Sequence, residues 1–171
     1  DIDAAAPGFD PAPPDHSDNG RSIALLLTWG DFGCFLGGDI TENVEHHLVS
    51  PVNRLGQVDL YQVTHHGLDM SNHPELIRAI QPVVAVVMNG PQKGPGPRTL
   101  AALRSQPSLQ GLYQLHFNTR YGEQGNAPMA AIANPTADGP GNYVRITVDE
   151  NAKEMAVHIG ARGTAVRYPF N

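Results

Sequence analysis

Phe35-Leu36-Gly37-Gly38-Asp39 closes one apolar run of the chain, and Val58-Asp59-Leu60-Tyr61-Gln62-Val63-Thr64-His65-His66-Gly67 closes another. Each run has the composition of a buried strand and ends in a side chain that binds metal ions well. Because ligands of open α/β sheets collect where the strands end, these segments are expected to define both the sheet and the site. One Asp and one His would make up only part of a metal site, because zinc usually takes three or four protein ligands.

The sequence around these two segments alternates between strand and helix patterns. Strands are predicted at residues 22–29, 32–36, 58–64, 83–88, 112–117, 143–148 and 155–159, and helices at residues 43–49, 73–80 and 98–104. The first two strands should form a hairpin that is buried on both faces, and residues 118–142 should form a long loop. The pattern predicts an α/β fold with a mixed sheet and flanking helices.

Composition limits the classes of function. The chain has 171 residues with 11 Lys and Arg against 17 Asp and Glu, and its net charge of −6 does not support a nucleic-acid partner. The single cysteine, Cys34, lies in an apolar run and is expected to be a buried thiol. No run approaches the roughly 20 apolar residues of a membrane span, so no membrane partner is expected.

Residues 1–20 are rich in Pro, Asp, Ala and Gly and are predicted to be a linker or surface loop. The chain begins with Asp1 and carries no signal-peptide pattern there. We therefore expect this sequence to be the inside of a longer precursor.

Several short motifs occur in a characteristic order along the chain. They are Asn19-Gly20-Arg21-Ser22, Leu36-Gly37-Gly38-Asp39, Pro51-Val52-Asn53-Arg54-Leu55-Gly56, the run from Val58 to Gly67, Met88-Asn89-Gly90-Pro91-Gln92-Lys93-Gly94, Gln114-Leu115-His116 and Ile132-Ala133-Asn134. Their identity and order resemble the C-terminal half of a metallo-β-lactamase-fold hydrolase, in the branch related to the nuclease-like domain of DNA-uptake competence proteins.

The resemblance implies an αββα sandwich that is assembled from two similar halves, with a site for one or two metal ions at the edge between its sheets. Residues 21–171 resemble the second half only. The leading half of this family carries a His-x-His-x-Asp-His motif, and residues 1–171 contain no such motif. We therefore expect a partner, either the N-terminal half of the same domain, cleaved from or absent from this chain, or an equivalent chain.

The same resemblance assigns roles at the two strand ends. Asp39 matches a carboxylate that bridges two metal ions, and a hydroxide held between them would be the nucleophile. His66 is the favoured second ligand and His65 its hydrogen-bonding or substrate partner, although the two roles can be exchanged. Zinc is the expected metal, as one or two ions, with manganese or iron as alternatives.

Two further residues are candidates for contact with substrate. The resemblance makes Lys93, in a Gly/Pro-rich loop, a candidate to meet a negatively charged substrate group, because an ammonium group can stabilise developing negative charge; a solvated loop lysine is the alternative. His116, at the end of a strand, either faces the same cleft or is a hydrogen-bonded core residue. Asp69 and Asn72 either position a substrate or cap the helix that begins near His73.

Two functional hypotheses follow from the resemblance. The first is a metal-dependent hydrolase of a phosphodiester, another ester or a lactam, with this chain inactive by itself. The second is a non-catalytic structural or binding subunit that keeps the fold without a working metal site. Relatives in this branch often carry export signals, so a periplasmic or extracellular location is expected.

Overall fold

The computed structural model describes residues 13–136, 138–161 and 163–170. Residues 1–12 of the predicted linker lie outside these ranges, and residues 13–18 form no helix or strand. The described residues form nine strands and three α-helices. These are β1 (Leu25–Trp29), β2 (Phe32–Leu36), α1 (Glu42–Val49), β3 (Leu60–Gln62), α2 (Pro74–Ile80), β4 (Val84–Val87), α3 (Pro97–Arg104), β5 (Gly111–His116), β6 (Ile132–Asn134), β7 (Val144–Val148), β8 (Glu154–Ile159) and β9 (Val166–Pro169).

The first six strands form one mixed sheet in the order β1-β2-β3-β4-β5-β6. The pair β1 and β2 is antiparallel, and every later pair is parallel. The last three strands form a separate antiparallel sheet in the order β7-β8-β9. The predicted α/β class, with a mixed sheet and flanking helices, is confirmed.

Alternate side chains of the central strands point into two different cores, as the period of two in a strand requires. Phe35 and Tyr61 belong to a core with residues of α2 and α3, whereas Cys34 and Leu60 belong to a core with residues of β8 and β9. The mixed sheet is therefore the middle of three layers, with helices on one side and the smaller sheet on the other. Both faces of β2 to β4 are covered, which explains their continuous apolar sequence.

The prediction that both strands of the first hairpin are buried on both faces is wrong for β1. All five of its residues are exposed, including Leu25 at 56%, Leu27 at 52% and Trp29 at 49%. Among the strands that the structure describes, β1 lies at the edge of the larger sheet and has β2 as its one neighbour. An apolar run gives no information about whether a strand lies at the centre or at the edge.

The helices begin where local sequence favours a helix start. Pro74 and Pro97 occupy the first turns of α2 and α3, where a missing backbone N–H removes no helical hydrogen bond. Thr41 is the N-cap residue of α1, as predicted, but its side chain makes no capping hydrogen bond. Within the described ranges, none of the helices is both long and apolar enough to span a bilayer.

Candidate metal and substrate site

Asp39 is carried on a tight turn that follows β2. A Cβ atom at Gly37 would lie 2.4 Å from the Thr64 Oγ1 atom, so only glycine fits between the turn and Thr64. Gly38 has a φ of +59°, which favours glycine as well. The Gly-Gly step thus lets the chain leave the sheet sharply, and the Asp39 carboxylate remains half exposed at the strand end.

His65 and His66 both adopt left-handed backbone conformations, with φ values of 52° and 57°. Two adjacent non-glycine residues in this region store backbone strain of order 1 to 3 kcal/mol each, which the surrounding structure must support. Support comes from the His65 N–H, which donates to the Gly38 carbonyl oxygen at 2.9 Å. This bond ties the His65-His66 turn, residues 64–67, directly to the turn that carries Asp39.

His66 faces Asp39. Its Nε2 atom lies 3.8 Å from the Asp39 Oδ1 atom, and its Nδ1 atom lies 2.8 Å from the Met88 carbonyl oxygen. A carbonyl oxygen can only accept, so the Nδ1 atom carries the hydrogen of this bond. The neutral ring therefore has its lone pair on Nε2, on the side of Asp39, and a backbone carbonyl that fixes the ring in this way is typical of histidine metal ligands.

His65 points in a different direction and is buried. The Ser71 hydroxyl donates to the Ile40 carbonyl oxygen at 2.7 Å, so Ser71 Oγ accepts from His65 Nδ1 at 3.2 Å. Burial lowers the pKa of His65, and the charge of Lys93 lowers it further, whereas the negative charge of Asp39 raises it. Burial dominates, so the neutral ring is favoured, with its lone pair on Nε2.

A network of buried hydrogen bonds holds the backbone of the His65-His66 turn in place. Asn72 donates through its amide nitrogen to the Thr64 carbonyl oxygen at 2.9 Å and accepts from the Tyr61 hydroxyl at 2.7 Å. Glu45, which is fully buried on α1, accepts from the backbone N–H groups of Asn72 at 2.7 Å and His73 at 2.9 Å. Burial raises the pKa of Glu45 to about 7, although these two hydrogen bonds oppose the shift.

The capping expectation for Asp69 and Asn72 is wrong. His73 is the N-cap of α2, and its Nδ1 atom accepts from the Glu75 N–H at 3.2 Å. Asp69 lies at the start of α3 instead, where its carboxylate accepts from the Thr99 N–H at 2.9 Å. The local sequence could not identify this role, because the capped helix begins about 30 residues later in the chain.

The loop of residues 89–96 lies against the His65-His66 turn. Asn89 holds this loop by donating to the carbonyl oxygens of Gly94 and His116. A Cβ atom at Gly94 would lie 1.9 Å from the His66 carbonyl oxygen, so this close approach requires glycine. Lys93, the preceding residue, is exposed, and its charge acts on the His65 ring.

His116 is the last residue of β5 and is half buried. Its N–H donates to the Asn89 Oδ1 atom at 3.1 Å, so its backbone belongs to the support of the loop of residues 89–96. Among the described residues, no hydrogen bond or ion pair connects its ring to Asp39, His65 or His66. The structure thus brings Asp39, His65, His66 and Lys93 together and attaches His116 through its backbone.

No group of three or more His, Cys, Asp or Glu side chains in the described part of the chain is arranged to hold a metal ion. Asp39 and His66 are a pair of potential ligands. Comparison of the chain with protein-family models and with curated proteins found no match.

Proposed function

We propose that this chain is part of a metal-dependent hydrolase that acts on an ester or phosphodiester, with Asp39 and His66 as two of the metal ligands. The observation that carries the proposal is the orientation of His66, whose Nδ1 atom is bound to the Met88 carbonyl oxygen while its Nε2 atom faces the Asp39 carboxylate at 3.8 Å. A histidine fixed on one nitrogen and directed at a carboxylate with the other is preorganised to share an ion with it.

The donor pair fits zinc in distance and in chemistry. Two zinc bonds of about 2.1 Å at a tetrahedral angle separate their ligand atoms by roughly 3.4 Å, close to the separation found here. Imidazole nitrogen and carboxylate oxygen are common zinc ligands, and manganese and iron accept them as well. The remaining ligands would come from the N-terminal half expected from the family resemblance.

When bound, such a metal ion acts as a Lewis acid and lowers the pKa of water, which supplies the hydrolytic chemistry. The residues of this chain have other tasks. Asp39 and His66 would supply two of the metal ligands. The strained His65-His66 turn keeps both histidine rings at the end of the sheet where β2 and β3 stop. His65, neutral and with its Nε2 lone pair available, can accept or return a proton, and Lys93 can meet a negatively charged substrate group.

The exposed edge of the sheet supports the need for a partner. No strand among the described residues pairs with the outer edge of β1, whose exposed side chains include three leucines and Trp29, and natural proteins usually protect such edges. Additional strands from an N-terminal half would cover it. The same observation favours the second candidate function, a structural or binding subunit, which predicts a partner but no metal.

The experiment is elemental mass spectrometry of the intact, natively purified protein, with the masses of co-purifying chains recorded on the same sample. One or two equivalents of metal and phosphodiesterase or esterase activity are expected. The Asp39→Ala variant should lose metal and lose more activity than the roughly 10- to 100-fold that a missing supporting hydrogen bond costs.

Asp31→Ala is the matched control, because Asp31 lies at the opposite end of β2 and pairs with Lys153 on the surface. It should keep both metal and activity. Retained metal and activity in Asp39→Ala would refute the ligand assignment. A co-purifying chain in a sample that contains no metal would support the second candidate function, a structural or binding subunit.

A further inference from the structure

A groove of about 280 Å³ opens beside the His65-His66 turn. Its walls come from three loops, residues 68–70, 92–96 and 118–121. Gly94 lines the groove and also contacts the His66 backbone, so the groove and the candidate metal site share a wall. A ligand in this groove would lie beside the loop that carries Lys93 and beside the turn that carries His66.

The groove has a rigid frame. Asn118 is fully buried, and its side-chain amide donates to the Gly94 carbonyl oxygen at 2.8 Å while its Oδ1 atom accepts from the Arg120 N–H at 2.9 Å. Thr119 joins the same two loops, because its N–H donates to the Pro91 carbonyl oxygen at 3.0 Å. Two of the three loops are therefore fixed to each other before any ligand binds, which lowers the entropy that binding costs.

The charges at the groove favour an anion. Arg120 is exposed, and no ion pair is found for its guanidinium group within the described ranges. Asp69 is the acidic residue among the described lining, and its carboxylate is occupied by the backbone N–H groups of Arg98 and Thr99 at the start of α3. Lys93 is exposed and lies in sequence between the lining residues Gln92 and Gly94, so it adds a second cation beside the groove. Two cations against the one Asp69 carboxylate leave a positive local charge, in contrast to the net charge of −6 of the whole chain.

The apolar part of the groove suits a flat ring. Tyr121 is 45% exposed and Met70 is 53% exposed, so both offer side-chain surface to a ligand. Gly94 and Gly96 also line the groove and add no side chain to it. Aromatic and thioether side chains pack well against aromatic rings.

We propose that this groove is a subsite for a phosphate ester that carries an aromatic ring. Arg120 and Lys93 meet the phosphate oxygens, and Tyr121 and Met70 pack against the ring. A guanidinium group matches the geometry of phosphate oxygens, and a second cation nearby strengthens the preference for an anion. The assignment of the groove to substrate rests on the proposed hydrolase function and selects the phosphodiester among its possible substrates, but binding in the groove needs no metal.

The test is isothermal titration of the metal-stripped intact protein with bis(4-nitrophenyl) phosphate, and with uncharged 4-nitrobenzyl alcohol for comparison. Saturable binding of the diester is expected, with the uncharged ring bound at least tenfold more weakly. Arg120→Gln should weaken binding of the diester by roughly 10-fold or more, since one charged hydrogen bond is lost. Tyr121→Leu should weaken it severalfold, because the stacking surface is lost.

Arg145→Gln is the matched control, since Arg145 is an exposed arginine on β7 and does not line the groove. Its affinity for the diester should equal that of the unchanged protein. The proposal is overturned if the diester shows no saturable binding, if Arg120→Gln binds as tightly as the unchanged protein, or if Arg145→Gln loses as much affinity. Asp39→Ala separates the two proposals, because it should lose metal and turnover but keep its affinity for the diester.

Discussion

Glu45 provides the sharpest test of the polar network under the His65-His66 turn. Its carboxyl group is fully buried, and burial raises its pKa from the ordinary value of 4.5 to about 7. The folded state therefore binds a proton more tightly than the unfolded chain does. The contribution of this group to stability is greatest below about pH 4.5, falls as the pH rises towards 7, and is constant at higher pH.

The size of the effect follows from the same shift. The rise of the Glu45 pKa from 4.5 to about 7 corresponds to a change of at most about 3 kcal/mol in the free energy of unfolding, at 1.36 kcal/mol per pKa unit. The measurement is urea denaturation of the protein and of Glu45→Gln at several pH values between 4 and 8.5. The free energy of unfolding of the protein minus that of the variant should fall by up to this amount as the pH rises, because all other titrations cancel. A difference that is flat or that rises with pH would refute the reasoning.

Three other predictions concern single residues. Asp69→Ala removes the carboxylate that receives the Thr99 N–H, and we expect a loss of about 1 kcal/mol in the free energy of unfolding, measured by urea denaturation. An unchanged midpoint would contradict the capping role. Gly94→Ala places a Cβ atom against the His66 carbonyl oxygen at a residue with a φ of +64°, so it should destabilise the fold by more than the roughly 1 kcal/mol of an ordinary glycine replacement and broaden or shift the NMR signals of His66. An unchanged free energy of unfolding and unchanged His66 signals in Gly94→Ala would show that the loop is not packed as described. Burial raises the pKa of the Cys34 thiol to about 11, so a thiol reagent should label native protein at pH 8 far more slowly than protein in urea, and equal rates would contradict its burial.

The central part of the fold was predictable because its sequence signals are local and agree with one another. Val84 to Val87 is a continuous apolar run, and it forms a strand that is covered on both faces. The joint position of Asp39 and His66 followed from the ends of two strands, and parallel pairing of β2 with β3 places these ends at one edge. The proximity of Asp39 and His66 therefore follows from the parallel pairing of these strands and could not be derived from their spacing along the chain alone.

Other features depend on contacts that no local pattern encodes. Glu45 lies on a short helix where a glutamate usually faces water, and its burial depends on backbone N–H groups 27 and 28 residues further along the chain. β6 and β9 contain three and four residues, too few for a clear alternation, and both lie outside the predicted strands. The groove beside His66 likewise combines Arg120 and Tyr121, from a predicted loop, with a distant glycine turn.

The order of the strands has a consequence for the way this chain folds during synthesis. In the larger sheet each strand is hydrogen-bonded to the strand that precedes it in the sequence, from β1 through β6. Each new strand can therefore dock on a neighbour that has already left the ribosome, and no strand must wait for one made much later. The small sheet of β7 to β9 emerges after the larger sheet and covers the face that contains Cys34 and Leu60. Along the described strands the larger sheet can therefore grow in one direction, from β1 towards β6, and its assembly needs no long-range search for a strand partner.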